Sequence, residues 1–163
     1  MKKLSMLIIG VLILSGCVRS QLKSVEQPIN TPLSTGIGGT IFRLNKTGDL
    51  PNAFGGRDVF GGKVDKGYAE LKLVGISGNV LTLESTDVSK TSTESTMTRY
   101  ADNALVSASV QNNIQIGSNS GGQRFDFDLG KQKEFVLAGV KVTFIKATAY
   151  SVDYTIQDLQ KGR

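Results

Sequence analysis

A chain of 163 residues, 39% of them hydrophobic, has room for one domain with an apolar core and too little for two comfortable ones. It holds no histidine and one cysteine, which removes His-based catalytic triads, the common zinc sites and any intramolecular disulfide. Its 19 basic residues are interleaved with 14 acidic ones, a net charge of +5, which reads as a solvated mixed surface rather than a patch for nucleic acid.

The chain opens with Lys2 and Lys3, runs through mostly apolar residues from Leu4 to Leu14, and reaches the small pair Ser15-Gly16. That order is the layout of an export leader over residues 1–16. The apolar run is about half of the roughly 20 residues that a spanning helix needs. Leu14-Ser15-Gly16-Cys17 resembles the lipobox of bacterial lipoprotein precursors, over residues 1–17 alone. The resemblance implies that the Cys17 thiol receives a diacylglyceryl group, that the leader is cut before it, and that the new amino terminus is acylated. Two or three acyl chains make a stable anchor where one is marginal. Residue 18 is Val and not Asp, and by the same resemblance the expected location is the outer membrane of a two-membraned cell. In a cell with one membrane it is the plain cell membrane. Loss of Lys2 and Lys3 leaves 17 basic residues against 14 acidic, a balance mild enough to allow only weak attraction to anionic headgroups.

From Val18 to Gly36 the chain carries Pro28, Pro32 and scattered Gln, Ser, Thr and Asn without an apolar period. This predicts a flexible linker over residues 17–36, with a β-rich domain over 37–163. Thr40 to Leu44 is the expected opening strand. Tyr68 to Ile76 and Val80 to Asp87 flank Ser77-Gly78-Asn79 and read as a hairpin. The interval Ser89 to Thr98 is polar and predicts an exposed loop or a polar edge strand. Leu105 to Ile116 and Arg124 to Leu129 alternate apolar and polar residues with a period of two, as does Tyr150 to Gln157. Phe135 to Leu137 and Val140 to Thr148 flank Ala138-Gly139 as a second hairpin. The expectation is an all-β antiparallel sandwich or small barrel of seven or eight strands.

Pro51 to Gly67 departs from this pattern. It repeats Phe-Gly-Gly-basic as Phe54-Gly55-Gly56-Arg57 and Phe60-Gly61-Gly62-Lys63, with five glycines in the thirteen positions from Gly55 to Gly67. One reading is a recognition loop in which Arg57 and Lys63 present charge and freed backbone amides line an anion-binding concavity. The other, favoured by the usual burial of Phe, has Phe54 and Phe60 plugging the end of the sheet. The loop lacks the order of a phosphate-binding P-loop, since Val64 follows Gly62-Lys63 and Arg57 stands where the first glycine would be.

Carboxylates are the remaining candidates for chemistry. Asp126 and Asp128 share one strand face about 7 Å apart, a spacing open to a glycosidase-like pair or a cation. Arg124 beside them favours a solvated face instead, and no pattern for a metal, a cofactor or an activated serine accompanies them. The expected function is a non-enzymatic interaction or assembly module anchored through Cys17, with another envelope protein as partner. Two alternatives are a barrel that binds a lipid-like ligand and a histidine-free hydrolase.

Overall fold

The structure is a computed structural model that describes residues 22–54, 56–100, 115–117 and 122–160, the segment 115–117 by its backbone alone. Among these described residues, ten strands and one short helix follow in chain order. They are β1 (Leu22–Val25), β2 (Leu33–Gly36), β3 (Thr40–Asp49), β4 (Lys63–Ser77), β5 (Val80–Thr91), α1 (Thr96–Tyr100), β6 (Gln115–Gly117), β7 (Gln123–Asp128), β8 (Glu134–Leu137), β9 (Val140–Ala147) and β10 (Ser151–Asp158).

All pairings are antiparallel and fall into two sheets. The first runs β1-β3-β4-β5, and the far edge of β5 is shared end to end by β7, along Val80–Ser85, and β6, along Ser89–Thr91. The second runs β2-β10-β9-β8. The two sheets stack as a sandwich and do not close into a barrel, so the barrel alternative is set aside. Closure is unnecessary here because each sheet already covers the other's apolar face.

The core is the sum of the inward sets. Ile41, Phe42, Leu44, Leu71, Leu73, Leu81, Leu83 and Phe127 come from the first sheet, and Val142, Phe144, Val152, Tyr154 and Ile156 from the second. Aromatic contacts stitch the layers: Phe127 lies 5.2 Å from Phe144 and 6.0 Å from Phe135, and Phe125 stacks on Phe135 at 5.2 Å between ring centres. Both expected hairpins form. Leu137 pairs with Val140 across Ala138 (φ 53°) and Gly139 (φ 87°), the two positive φ angles that a type I′ turn requires.

Two expectations change. The stretch read as a linker carries β1, paired with β3, and β2, paired with β10, so residues 22–36 belong to both sheets. Glu26 N donates to the Arg43 carbonyl at 2.9 Å and Asn30 N to the Ile156 carbonyl at 2.8 Å, holding the chain as it crosses between the layers. The interval Ser89–Thr98 splits, its first residues extending β5 and Thr96 starting α1. The expected strand over residues 105–116 lies outside the described residues except for the start of β6.

The register of β3 against β4 shifts between Thr40 and Phe42, making Ile41 an extra residue on β3. Both Ile41 and Phe42 then reach the interior, each fully buried, as a bulge permits and a regular strand does not. The Ile41 carbonyl accepts a hydrogen bond from Tyr154 Oη at 2.8 Å, a polar link between the sheets inside the core. Burial pushes the Tyr154 phenol above its usual pKa. Its neutral form is therefore favoured by folding, a contribution fully present below about pH 10 and lost as pH rises through the raised folded value. Tyr154→Phe should destabilise the protein by about 1–3 kcal/mol at pH 7, since it strands a buried carbonyl. In urea unfolding the gap to the wild type should narrow above pH 10.

Candidate functional site

β3 ends at Asp49 directly opposite Lys63, where β4 begins, so residues 50–62 leave and return at one end of the first sheet. Leu50 is fully buried at the base of this loop. Its N–H donates to the Gly62 carbonyl and its carbonyl accepts from Asp58 N–H, each at 2.8 Å. Two polar side chains then fold the two halves of the loop. Asn52 Oδ1 accepts from the amides of Phe54 (3.0 Å) and Gly56 (2.8 Å), while its Nδ2 donates to the Arg57 carbonyl at 3.1 Å. Asp58 Oδ2 accepts from Gly62 N–H at 2.8 Å, and its backbone carbonyl accepts from Gly61 N–H at 3.2 Å. Asn and Asp act here as turn-forming residues whose side chains stand in for backbone acceptors.

This arrangement corrects the anion-concavity reading. The amides of Phe54, Gly56, Asp58, Gly61 and Gly62 are all turned onto the loop's own oxygens. Arg57 and Lys63 do converge, but on a protein carboxylate. Arg57 Nε is 3.1 Å from Asp49 Oδ2, and Lys63 Nζ pairs with Asp49 Oδ1. Gly55 and Cys17 lie outside the described residues.

The helix α1 docks beside the loop. Ser95 and Thr98 cap each other's amides, Ser95 N–H to Thr98 Oγ1 at 2.8 Å and Thr98 N–H to Ser95 Oγ at 3.4 Å. Thr96 N–H donates to the Pro51 carbonyl at 2.8 Å, and Arg99 Nη2 donates to the Lys63 carbonyl at 2.8 Å. Hydrogen bonding to Glu94 holds the Arg99 guanidinium even further into its charged form. Loop and helix are thus one unit, joined at Pro51 and Lys63. Leu50, Val64 and Val88 are buried at this end of the sheet, outside the main core.

The plug reading is also corrected. Phe54 is 97% exposed, Val59 85% and Phe60 79%, and α1 adds Met97 at 65% and Tyr100 at 55%. Phe60 meets Tyr100 edge to face, ring centres 6.0 Å apart. Leu50, Asn52 and Asp58 close the loop without help from the aromatic rings, and the rings face outward. Large apolar side chains gathered on two docked elements are the hallmark of a contact surface, whereas a single exposed one is routine.

The other candidates look ordinary. Asp126 Oδ1 accepts from Thr82 Oγ1 at 2.9 Å, Asp128 Oδ1 accepts from Gly130 N–H at 2.9 Å, and Arg124 Nε lies 2.6 Å from Glu84 Oε2. Asp126 bonds across to the neighbouring β5 and Asp128 serves its own turn, so the two do not share a partner. Among the described residues no group of three or more acidic, Cys or His side chains could hold a metal ion. A shallow hollow of about 90 Å³, lined by Val64, Asp65, Lys90, Ser92 and Glu94, is small beside ligand pockets of roughly 300–1,000 Å³. The chain matches no protein-family model, no curated protein and no solved structure.

Neither Asn52, Asp58 nor α1 stood out in the sequence. Ser95-x-x-Thr98 carried the one available signal, a reciprocal cap with Thr in place of the usual Glu. Asp58→Ala should strand the Gly62 amide and loosen the loop. Amide hydrogen exchange should then accelerate at Gly62 and Thr96 while Leu71 and Phe144 in the core keep wild-type protection.

Asp65 supplies a pH-dependent term at the same end. Partial burial raises its pKa, but the Lys90 ammonium at 2.6 Å, the Gly67 amide at 2.7 Å and nearby Arg43 outweigh this and leave it lowered. A depressed carboxylate contributes stability above its unfolded pKa of about 3.9, and the contribution fades as pH falls through the folded value. Asp65→Asn should therefore lower the urea midpoint slightly at pH 6 and converge with the wild type as pH falls through the lowered folded value.

Proposed function

We propose that this protein is a lipid-anchored envelope lipoprotein that works by contact and not by catalysis, as an interaction or assembly module held at the outer membrane. Its working face is the unit formed by the Leu50–Gly62 loop and α1. The observation that carries this reading is the exposed set Phe54, Val59, Phe60, Met97 and Tyr100, displayed by a loop whose backbone is committed to its own side chains. Such a loop has few free polar groups with which to do chemistry and a large apolar area with which to bind another envelope component. The filled interior between the sheets favours contact over enclosure of a lipid-like ligand. The separate partners of Asp126 and Asp128 favour a solvated face over a hydrolytic pair.

Two measurements test the two parts. Cys17→Ser should block acylation and leader cleavage and move the protein from membrane to soluble fractions; normal processing with retention in the membrane would count against the anchor. For the working face, Phe60→Cys gives a single free thiol, since Cys17 is acylated on this reading. That thiol should resist a membrane-impermeant maleimide in intact envelopes and react in detergent. Equal labelling in both would show that the loop covers nothing.

A further inference from the structure

The geometry points to the bilayer itself as the occupant of this face: the Leu50–Gly62 loop and α1 dock into the interfacial layer of the membrane that carries the anchor. This rests on the anchored reading above and names the partner of the same surface. Leu22, the first described residue, pairs with Thr47, two residues before β3 ends at Asp49 and the loop begins. Two strand steps cover about 7 Å. Cys17 precedes Leu22 by five residues, which reach at most about 18 Å when fully extended. An acyl chain on Cys17 would therefore enter the bilayer nearer the end that bears Phe54, Phe60 and Tyr100 than the far end, where Tyr150 is the exposed ring.

The opposite end is well separated. Thr40 and Asp49 bound β3, nine steps or roughly 30 Å apart, and Ile37 N–H donates to the Tyr150 carbonyl just beyond Thr40. A tether of at most 18 Å cannot bring that end to the bilayer with the loop turned away as readily as it brings the loop.

The side chains at the near end suit an interface. Phe and Tyr rings with apolar bodies are favoured at headgroup depth, and Leu22, itself half exposed, extends the apolar set toward the anchor. The charge of the loop is layered. Asp49 lies 12% exposed beneath Arg57 at 65% and Lys63 at 43%, so the cations face outward over a covered carboxylate. Among the described residues, the exposed acids Asp65 and Asp87 on this side are each held by a lysine, Lys90 and Lys46. Outward cations over apolar tips match an anionic lipid surface, on which a weak second contact adds to a lipid chain to fix orientation.

The test uses the full acylated protein, with Cys17 modification checked first by mass. Phe60→Cys and Tyr150→Cys each supply one labelling site for an environment-sensitive fluorophore, after reconstitution into vesicles of phosphatidylethanolamine and phosphatidylglycerol at about 3:1. Label at position 60 should be quenched by lipids carrying a nitroxide near the headgroup, and label at position 150 should not. Phe54→Ser should weaken that quenching, and in salt titrations Arg57→Gln should reduce its dependence on phosphatidylglycerol. Transfer of one such ring corresponds to roughly tenfold in partition. Equal quenching at both positions, or none at 60, overturns the docking. A photoreactive residue at position 60 separates the two readings in cells. Lipid adducts support docking, protein adducts keep the contact face but overturn its assignment to lipid, and absence of any adduct removes both. An unmodified Cys17 removes the anchor and the inference with it.

Discussion

Ile41 and Phe42 are neighbours on one strand, and both are fully buried in the same core. A regular strand sends adjacent side chains to opposite faces, so this pair requires the extra residue that the register shift against β4 supplies. The extra residue brings a carbonyl inward, where water cannot reach it, and an unanswered carbonyl there would cost about 1–3 kcal/mol. Tyr154 answers it from the other sheet. The phenol thereby fixes the offset of the two layers, because Tyr154 also pairs with Phe144 on β9 and with Leu33 on β2. One hydroxyl thus ties β3, β10, β9 and the amino-terminal crossover into a single arrangement, and the aromatic ladder Phe125-Phe135-Phe127-Phe144 fills the space left beside it.

The near end of the first sheet follows from a second local irregularity. Between Lys46 and Thr47 the register shifts again, now with the surplus residue on β4, and Gly67 sits opposite Lys46 with φ +105°. A Cβ at Gly67 would lie 2.0 Å from the Val88 carbonyl oxygen, so only glycine lets β4 pass β5 this closely. The missing side chain also clears the way for Lys46 to cross β4 and pair with Asp87 on β5. The three strands that carry the loop are thereby drawn together just beneath it, and residues 50–62 rise from a braced platform.

Much of the architecture was legible where strands are half buried. Arg124–Leu129 and Tyr150–Gln157 alternate cleanly, and the structure buries Phe127, Val152, Tyr154 and Ile156 as that alternation requires. Edge strands were not legible. β1 and β2 are four residues each, held by ladder hydrogen bonds to β3 and β10 and contributing only Val25 and Leu33 toward the core. The four apolar residues of these fifteen, Leu22, Val25, Ile29 and Leu33, never alternate with a period of two, and the prolines between the strands suggested a linker. The loop misled for a different reason. Burial statistics for Phe assume that a ring has somewhere to go, but a loop already closed by Leu50, Asn52 and Asp58 offers none. Its glycines serve those turns, not an anion.

An exposed apolar face also needs a reason to be tolerated. Phe54 and Phe60 on a freely diffusing domain would invite self-association, and five large exposed apolar residues on one unit would be a liability for solubility. On the anchored reading proposed above, a chain held by acyl groups at Cys17, five residues before β1 begins, would not diffuse freely. The rings of a chain so anchored would meet lipid before another copy, at a distance set by a segment of at most about 18 Å. Exposure and anchorage are then two parts of one constraint, since the anchor limits what the face can touch and the face limits how the domain can sit.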